Sequence, residues 1–524
     1  MPNLSPVHRL LIRADAGPKM GTGHVMRCLA LGQAWQKMGG QVTIITSSLP
    51  ARLAMRINTE EFELEMLPAD RSPEEEIQIF NDHIARQNPD WVVLDGYQFD
   101  DSYQESICLN GSRLLVVDDF GHGNHAGADA IFNQNVYAET EDYTLQKKSQ
   151  DIIAGLEFVL IRDEFDLDHG PPASNRKIAM GNAKRILVTF GGADPHNTTL
   201  DVIRVLDQCA EAGTSVDVIV GHCNPHFESL KTAAKQSRLS IRFHSNVDRM
   251  ASMFQRTDLA ITAAGSTCYE LCHAGVPMIA IPIVNNQIEV ANCLVRRGAA
   301  ETVEQSDLRN GNAQKVINRI IRNPQCRESM SLVGRKLVDG QGAARLARRL
   351  CSHLYRFRKA EKQDAAMLLD WHNDSEIRAT RFGAAAVESN QLPHWLLEQL
   401  SDEQHVNWIV ENAVGRPVGQ VLLESTLSNR TAIGINLVPS MRGKGIGTSL
   451  IEAACRLATR LSGNVEFVAY IKPIDFASQT AFRKAGFKTV ATTTVNGQVA
   501  LEFSFCPTSP STTEAVSNHH MKAS

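Results

Sequence analysis

The residue best suited to moving a proton sits in a glycine-rich turn. Arg13-Ala14-Asp15 closes a β-branched run, and Met20-Gly21-Thr22-Gly23-His24-Val25-Met26-Arg27 leads into a helical pattern. Glycines such as Gly21 and Gly23 at a strand-to-helix turn let backbone approach a ligand closely, and a helix start attracts negative charge. The same helix dipole favours a neutral imidazole at His24, which can take a proton from water or a hydroxyl near pH 7. On position alone His24 is either that base or a cap bonded to its own helix. Two further turns invite phosphate. Thr189-Phe190-Gly191-Gly192-Ala193-Asp194-Pro195-His196-Asn197-Thr198 and Ala263-Ala264-Gly265-Ser266-Thr267-Cys268-Tyr269-Glu270 each follow a strand and open a helix. In the second, the N–H groups of Gly265, Ser266 and Thr267 are expected to cradle a diphosphate. Glu270 lies one turn on, where a carboxylate can accept from both ribose hydroxyls; the alternative is an ordinary strand–turn–helix with a solvated Glu.

These turns need strands and helices to position them. Val7–Arg13, Gln41–Thr46, Trp91–Asp95 and Arg113–Asp118 read as strands, with a helix between the first two ending at Gly39-Gly40. After a linker over Asp168–Lys184 the pattern restarts with Arg185–Phe190, Ser215–Val220, Ser240–His244, Asp258–Thr262 and Pro277–Ile283. Strands alternating with helices predict parallel sheets, and two such halves hold a ligand between them at the carboxyl ends of their strands. A third unit begins near Leu354. Leu354–Arg358, Val406–Val410, Pro417–Glu424 and Thr431–Val438 read as strands, and Asp364–Asp374 and Gly443–Thr459 as helices, which suggests a separate α+β domain. The expected domains are 7–168, 184–350 and 353–506, with a disordered tail over 507–524.

Composition narrows the function classes. The 524 residues carry 53 Lys+Arg against 58 Asp+Glu, with no basic tract to bind nucleic acid. The longest apolar runs, such as Val276–Val284, fall far short of the ~20 residues a bilayer span needs. Met1–Arg13 lacks the apolar core of a secretory signal. The 11 cysteines are scattered without a CxxC pair, which points to reduced thiols in a cytoplasm and away from a disulfide scaffold or structural zinc.

The stretch RADAGPKMGTGHVMRCLALG resembles the N-terminal signature of the hydrolases that release UDP from UDP-2,4-diacetamido-2,4,6-trideoxy-β-L-altropyranose in pseudaminic acid biosynthesis. Leu94-Asp95-Gly96-Tyr97, Val117-Asp118-Asp119 with Asn133-Gln134-Asn135, and Leu160-Ile161-Arg162-Asp163-Glu164-Phe165 extend the resemblance over roughly the first 350 residues. It implies a GT-B-like pair of doubly wound, Rossmann-like α/β halves, with His24 as general base. It also implies UDP-sugar contacts at Gly192, Asn197, Arg162, Gly265, Ser266, Thr267 and Glu270, with Asn286 and Gln287 facing the crevice and Met250 at the edge of the uracil. Asp15, Arg27, Asp95 and Tyr97 either orient His24 or the sugar's acetamido groups, or make structural hydrogen bonds. No metal is required, because the diphosphate is already a good leaving group and the enzyme must supply an activated water.

Leu437-Val438-Pro439-Ser440-Met441-Arg442-Gly443-Lys444-Gly445-Ile446-Gly447-Thr448 ends a strand and starts a helix. Arg442, Gly445 and Gly447 resemble the (Q/R)-x-x-G-x-(G/A) loop of GNAT acetyltransferases, whose backbone N–H groups bind the pyrophosphate of acetyl-CoA. Asp370–Asp374, Lys472–Ser478 and Ala485-Gly486-Phe487 extend that resemblance. It implies acetyl-CoA as co-substrate, held by Val438, Arg442, Gly443, Gly445, Gly447, Thr448, Asp475 and Ser478. The sequence departs from the family at Phe482, where a tyrosine acid is common, and at Asp475, where an asparagine is. Glu424 is either the base for the amine or a solvated strand residue. Together the two resemblances imply a bifunctional enzyme that acetylates the 4-amino group of a UDP-sugar and then hydrolyses the product. The alternatives are a GT-B glycosyltransferase, and a C-terminal unit that only binds acetyl-CoA or docks a partner.

Overall fold

The computed structural model describes residues 8–507 apart from 18–19, 122, 139–142, 144–149, 168–179, 192–193, 222–223, 246, 248, 384–404, 427–429 and 464. Most of the expected linker and nearly all of the expected tail therefore lie outside the described residues. The chain divides into two compact units, Val7–Ala347 and the part from Arg348 onward.

The first unit contains two parallel sheets. Strands β1 (Arg9–Ala14), β2 (Gln41–Thr46), β3 (Glu63–Met66), β4 (Trp91–Asp95), β5 (Arg113–Val117), β6 (Ala130–Asn133) and β7 (Asp151–Ala154) are ordered β3-β2-β1-β4-β5-β6-β7. Strands β8 (Arg185–Thr189), β9 (Ser215–Val220), β10 (Ser240–Ser245), β11 (Leu259–Ala263), β12 (Met278–Ile281) and β13 (Glu301–Thr302) are ordered β10-β9-β8-β11-β12-β13. The hydrophobic strands are buried on both faces, as helix-covered parallel sheets must be, and this is why they read as continuous apolar runs. β3, β6, β7 and β13 were not legible: β3 is Glu-Leu-Glu-Met, and the others are only two to four residues long.

The strand order fixes where chemistry can occur. In each sheet it reverses beside the first strand of the half, between β1 and β4 and between β8 and β11. A crevice opens beyond the carboxyl ends at such a switch point. Ala14 pairs with Asp95 at the tips of β1 and β4, so the His24 turn and Asp95 emerge side by side. The loops after β8 and β11 emerge together in the same way. One apolar cluster joins Val136, Val159 and Phe165 to Phe254, Tyr269 and Leu294, so the two halves share a core.

The second unit is a mixed sheet ordered β14-β15-β16-β17-β18-β20-β19. Its strands are β14 (Tyr355–Lys359), β15 (His405–Asn412), β16 (Pro417–Ser425), β17 (Arg430–Leu437), β18 (Glu466–Ile471), β19 (Lys488–Val495) and β20 (Gln498–Phe505). β17 and β18 run parallel but pair only from Arg430–Ala432 to Glu466–Val468. Beyond that they separate into a notch. The helix expected over Gly443–Thr459 instead runs Ile446–Ser462, because Gly443 and Gly445 stand at φ 74° and 75°, outside helical space. Among the described residues no helix is long and apolar enough to cross a membrane.

Candidate functional site

His24 is the second residue of the helix Gly23–Lys37. The helix is capped at Thr22 without a side-chain bond, so His24 is not its cap. Its Nδ1 lies 2.6 Å from Asp95 Oδ1. Arg27, one turn along the same helix face, donates from Nε and Nη2 to the two oxygens of Asp95, each at 2.6 Å. Asp119 grips the far side of Arg27 at 2.7 and 3.0 Å. Asp95 is fully buried, and burial alone raises a carboxyl. The charge and hydrogen bonds of Arg27, with the bond from His24, outweigh that and hold it well below the usual carboxylate range. An ionised Asp95 only accepts, so the proton between them sits on His24 Nδ1, and in the neutral ring Nε2 is the nitrogen with the lone pair. Tyr97 stands edge-on to the imidazole, with centroids 5.0 Å apart, and donates to Asp119 at 3.2 Å.

Two other expected residues of this half do different work. Asp15 does not touch His24. It accepts from Arg13, Thr46, the Ser47 N–H and Gln98, and so ties β1 to the loop after β2. Gly21 exchanges backbone bonds with Gly17 and folds the turn back on itself.

Across the crevice, the turn after β11 presents the helix Thr267–Ala274. Here the expectation is corrected in part: the Gly265 N–H is taken up by the Ala263 carbonyl at 2.9 Å, leaving those of Ser266 and Thr267. The turn lies close to the histidine turn, since a Cβ built on Gly23 would sit 4.0 Å from Ser266 Oγ. Gly23, Arg27, Gln134, Ser266, Tyr269 and Glu270 line one pocket. Glu270 is not simply solvated. Its Oε1 accepts from Arg162 at 2.8 Å, and the residue lines the pocket. Arg162 is itself buried and also pairs with Glu164, so the expected direct contact of Arg162 with substrate becomes a contact with the carboxylate that faces it. Tyr269 donates to Asn135 Oδ1 at 3.1 Å and accepts from the Val136 N–H at 3.2 Å. Adjacent residues of one helical turn thus fasten the two halves together.

The other expected nucleotide contacts divide. Asn286 reaches Tyr97 across the crevice at 3.5 Å, and its Oδ1 has no partner. Gln287 accepts from the Ile283 N–H at 3.0 Å, and its amide nitrogen faces Gly265, 3.7 Å from where a Cβ would stand. Met250 starts a helix and packs on the shared core. In the turn after β8, Asp194 fills the helix start, accepting from the N–H groups of Thr198 and Thr199 at 2.8 and 2.9 Å. Asn197 there bonds Ser229, and Gly192 lies outside the described residues. Sequence reasoning missed Asp119, Asn135 and Tyr269; the Asp118-Asp119 and Asn133–Asn135 motifs were the available signal.

In the second unit, Gly443 and Gly445 carry the chain from β17 into the helix Ile446–Ser462. Gly447 packs on Leu437, 3.6 Å from the position of its missing Cβ, and Thr448 is buried. Arg442 donates to the Leu437 carbonyl and pairs with Asp374 at 3.1 Å and with Glu376. The Val438 N–H is taken by Val418. Asp475 caps its own helix, accepting from the Ser478 N–H at 3.0 Å, which explains why aspartate serves where the family has asparagine. Phe482 is buried edge-on against Phe487 and offers no proton. Glu424 sits 3.5 Å from His405 on the exposed face of the β15–β16 pair.

Two facing Rossmann-like halves define a GT-B unit, and a splayed mixed sheet with a glycine loop defines a GNAT domain. The comparisons agree: residues 186–341 match the glycosyltransferase family 28 C-terminal domain and residues 355–488 the acetyltransferase (GNAT) domain. The chain is 24% identical over 292 residues to UDP-2,4-diacetamido-2,4,6-trideoxy-beta-L-altropyranose hydrolase of Campylobacter jejuni, covering 55% of this chain and 97% of that one. It is 23% identical over 503 residues to an uncharacterized protein of Methanocaldococcus jannaschii, covering 92% and 96%. Among solved structures, Acinetobacter baumannii MurG aligns with 17% identity and a TM-score of 0.45, over 65% of this chain and 98% of that one. The chain is a relative of a UDP-sugar hydrolase, with a stretch that matches the family 28 C-terminal domain and a GNAT domain in tandem.

Proposed function

We propose that the first unit hydrolyses a UDP-2,4-diacetamido-2,4,6-trideoxyhexose of the altrose type to UDP and the free sugar. The observation that carries this reading is the His24–Asp95 pair, which engages Nδ1 rather than Nε2, on a turn whose Gly23 approaches Ser266. Nε2 takes a proton from water, the water oxygen bonds to the anomeric carbon, and the C–O bond to UDP breaks with its electrons on the diphosphate. Asp95 stabilises the imidazolium that forms, and the Ser266 and Thr267 N–H groups receive the departing charge. Attack and departure on opposite faces invert the anomeric centre. Glu270 Oε2 holds the ribose, and Tyr97 and Asn286 meet the sugar.

The second unit, in the same reading, transfers the acetyl group of acetyl-CoA to the 4-amino group of the precursor UDP-sugar: the C–S bond breaks, a C–N bond forms, and the amine proton passes through solvent to the thiolate. Residues 7–168, 184–350 and 353–506 act as the three domains. Both steps belong to pseudaminic acid biosynthesis and take place in the cytoplasm, in keeping with the cysteine usage.

The test is UDP release from the diacetamido sugar nucleotide without an acceptor, in wild type and His24→Ala. Release that the substitution abolishes while UDP still binds supports the hydrolase. Release only when a second sugar is added moves the first unit to the glycosyltransferases.

A further inference from the structure

Gln134 follows β6 and lines the pocket that also holds Ser266 and Glu270. The residue is 3% exposed. Its Oε1 accepts from the Leu160 N–H at 2.9 Å. That partner can only donate, which fixes the other end of the amide as Nε2. Nε2 has no hydrogen-bond partner among the described residues and is not a sealed atom, so the opening that Gln134 retains onto the pocket exposes Nε2. An amide donor in so enclosed a place is costly until an acceptor meets it.

Two ties set this donor near Glu270. Asn135, the next residue, accepts from the Tyr269 hydroxyl at 3.1 Å, and Glu270 follows Tyr269. Leu160 bonds Gln134 while Arg162, two residues on, holds Glu270 Oε1 at 2.8 Å. A donor from the first half and a carboxylate from the second therefore share one pocket, walled elsewhere by the apolar side chains of Met26, Val159 and Leu160. A carboxylate only accepts and an amide nitrogen only donates, whereas a hydroxyl does both. A vicinal diol satisfies the two groups together and lays its carbons on the apolar wall. We propose that Gln134 Nε2 donates to a ribose hydroxyl of the nucleotide while Glu270 accepts from the same diol, so that both halves of the first unit read ribose against deoxyribose. The proposal rests on the nucleotide-binding reading above and adds to it a recognition residue from the half that carries His24.

Titration calorimetry on the full chain with UDP, 2′-deoxy-UDP and 3′-deoxy-UDP tests it. Wild type is expected to prefer UDP to both analogues, because a site built to bond a hydroxyl rejects a ligand that lacks it. Gln134→Met should weaken UDP by about 10-fold and leave unchanged the affinity for the analogue that lacks its hydroxyl, so that the two losses do not add. Gln134→Glu keeps the acceptor for the Leu160 N–H and removes the donor. It should weaken UDP at about pH 8 and recover relative to wild type at about pH 5, where burial beside Glu270 leaves the new carboxyl protonated and able to donate. Equal weakening of UDP and both analogues, with a lowered Tm, makes Gln134 a structural prop and overturns the proposal. Unchanged UDP affinity in Gln134→Met overturns it too. Glu270→Ala separates that outcome from failure of the underlying reading: if it weakens UDP while Gln134→Met does not, the nucleotide site stands and the first half takes no part in reading the ribose. If wild type binds no UDP, the nucleotide reading falls and the proposal with it.

Discussion

The two candidate sites handle charge in opposite ways. Among the described residues of the first unit's crevice the charged groups are paired before a ligand arrives: His24 with Asp95, Asp95 with Arg27, Arg27 with Asp119, Glu270 with Arg162. Asp95 is wholly buried, and His24 and Arg27 are nearly so. In the second unit no carboxylate stands against Arg381 or Lys472 among the described residues, and the loop arginine, Arg442, is paired but a quarter exposed. A reaction that must activate water gains from a fixed, desolvated base, because the orientation cost is met during folding. A site for two exchanging, highly charged substrates gains from open donors that exchange water for phosphate. The difference predicts that substitutions in the first site lower turnover, whereas substitutions in the second weaken binding.

The sharpest way to break this contrast is His24→Ala, expected to lower kcat for UDP release by about 1,000-fold or more, with Asp95→Asn lowering it by at least about 100-fold through the wrong imidazole tautomer. UDP affinity and thiol release from acetyl-CoA should stay near wild type for both. A comparable loss of acetylation would mean that the units do not act as separate centres. The reciprocal change is Gly445→Val. A β-branched residue at φ 75° strains the loop, and the expected effect is a rise of about 10- to 100-fold in acetyl-CoA KM with UDP release untouched. Steady-state kinetics of both reactions on each variant decides the matter.

How much of this was legible follows the same divide. The parallel strands of the first unit announced themselves because burial on both faces demands continuous apolar runs, and the turns at their carboxyl ends carried His24, Ser266 and Glu270. What could not be read were partnerships between distant residues. Nothing in the spacing of Asp15 and Asp95 tells which is held against His24; the pairing of Ala14 with Asp95 across β1 and β4 decides it. The turn after β8 looked as fit for phosphate as that after β11, yet Asp194 lies four residues before Thr198 and caps the helix itself. In the second unit β19, with Lys488–Thr492 exposed, lacks a buried face to give it a pattern. Arg381 gave no signal at all, because the partner it meets, His372, is visible only once its surroundings are known.

Arg162 tests whether the first site is assembled by its own halves. It lies in the first half and holds Oε1 of Glu270 in the second. Arg162→Met should free that carboxylate, raise KM for the UDP-sugar by about 10-fold, and lower kcat less. A positioned carboxylate also distinguishes ribose from deoxyribose, so wild type should favour UDP over 2′-deoxy-UDP, and Arg162→Met should lose that preference. A variant that keeps the preference while losing only thermal stability would reduce Arg162 to a structural role.

The smallest effect expected is on stability, where the contrast should still hold. Asp95→Asn removes one partner of a buried pair and should cost about 3 kcal/mol at pH 7. Arg442→Ala removes a pair that water screens, and at most about 1 kcal/mol is expected. The pH dependence has a fixed sign. Asp95 is held below the usual carboxylate range when folded, so the unfolded chain takes up its proton first as pH falls. Its contribution is complete above about pH 4, where the unfolded carboxylate is ionised, falls progressively below that, and is gone once pH has dropped through the depressed folded value. Urea unfolding of wild type and Asp95→Asn should therefore diverge most at neutral pH and converge in strong acid. A gap between them that stays constant from pH 7 to pH 2 would mean that the ionised Asp95 contributes no more to the fold than the asparagine that replaces it, and that the paired charges of the crevice serve the reaction alone.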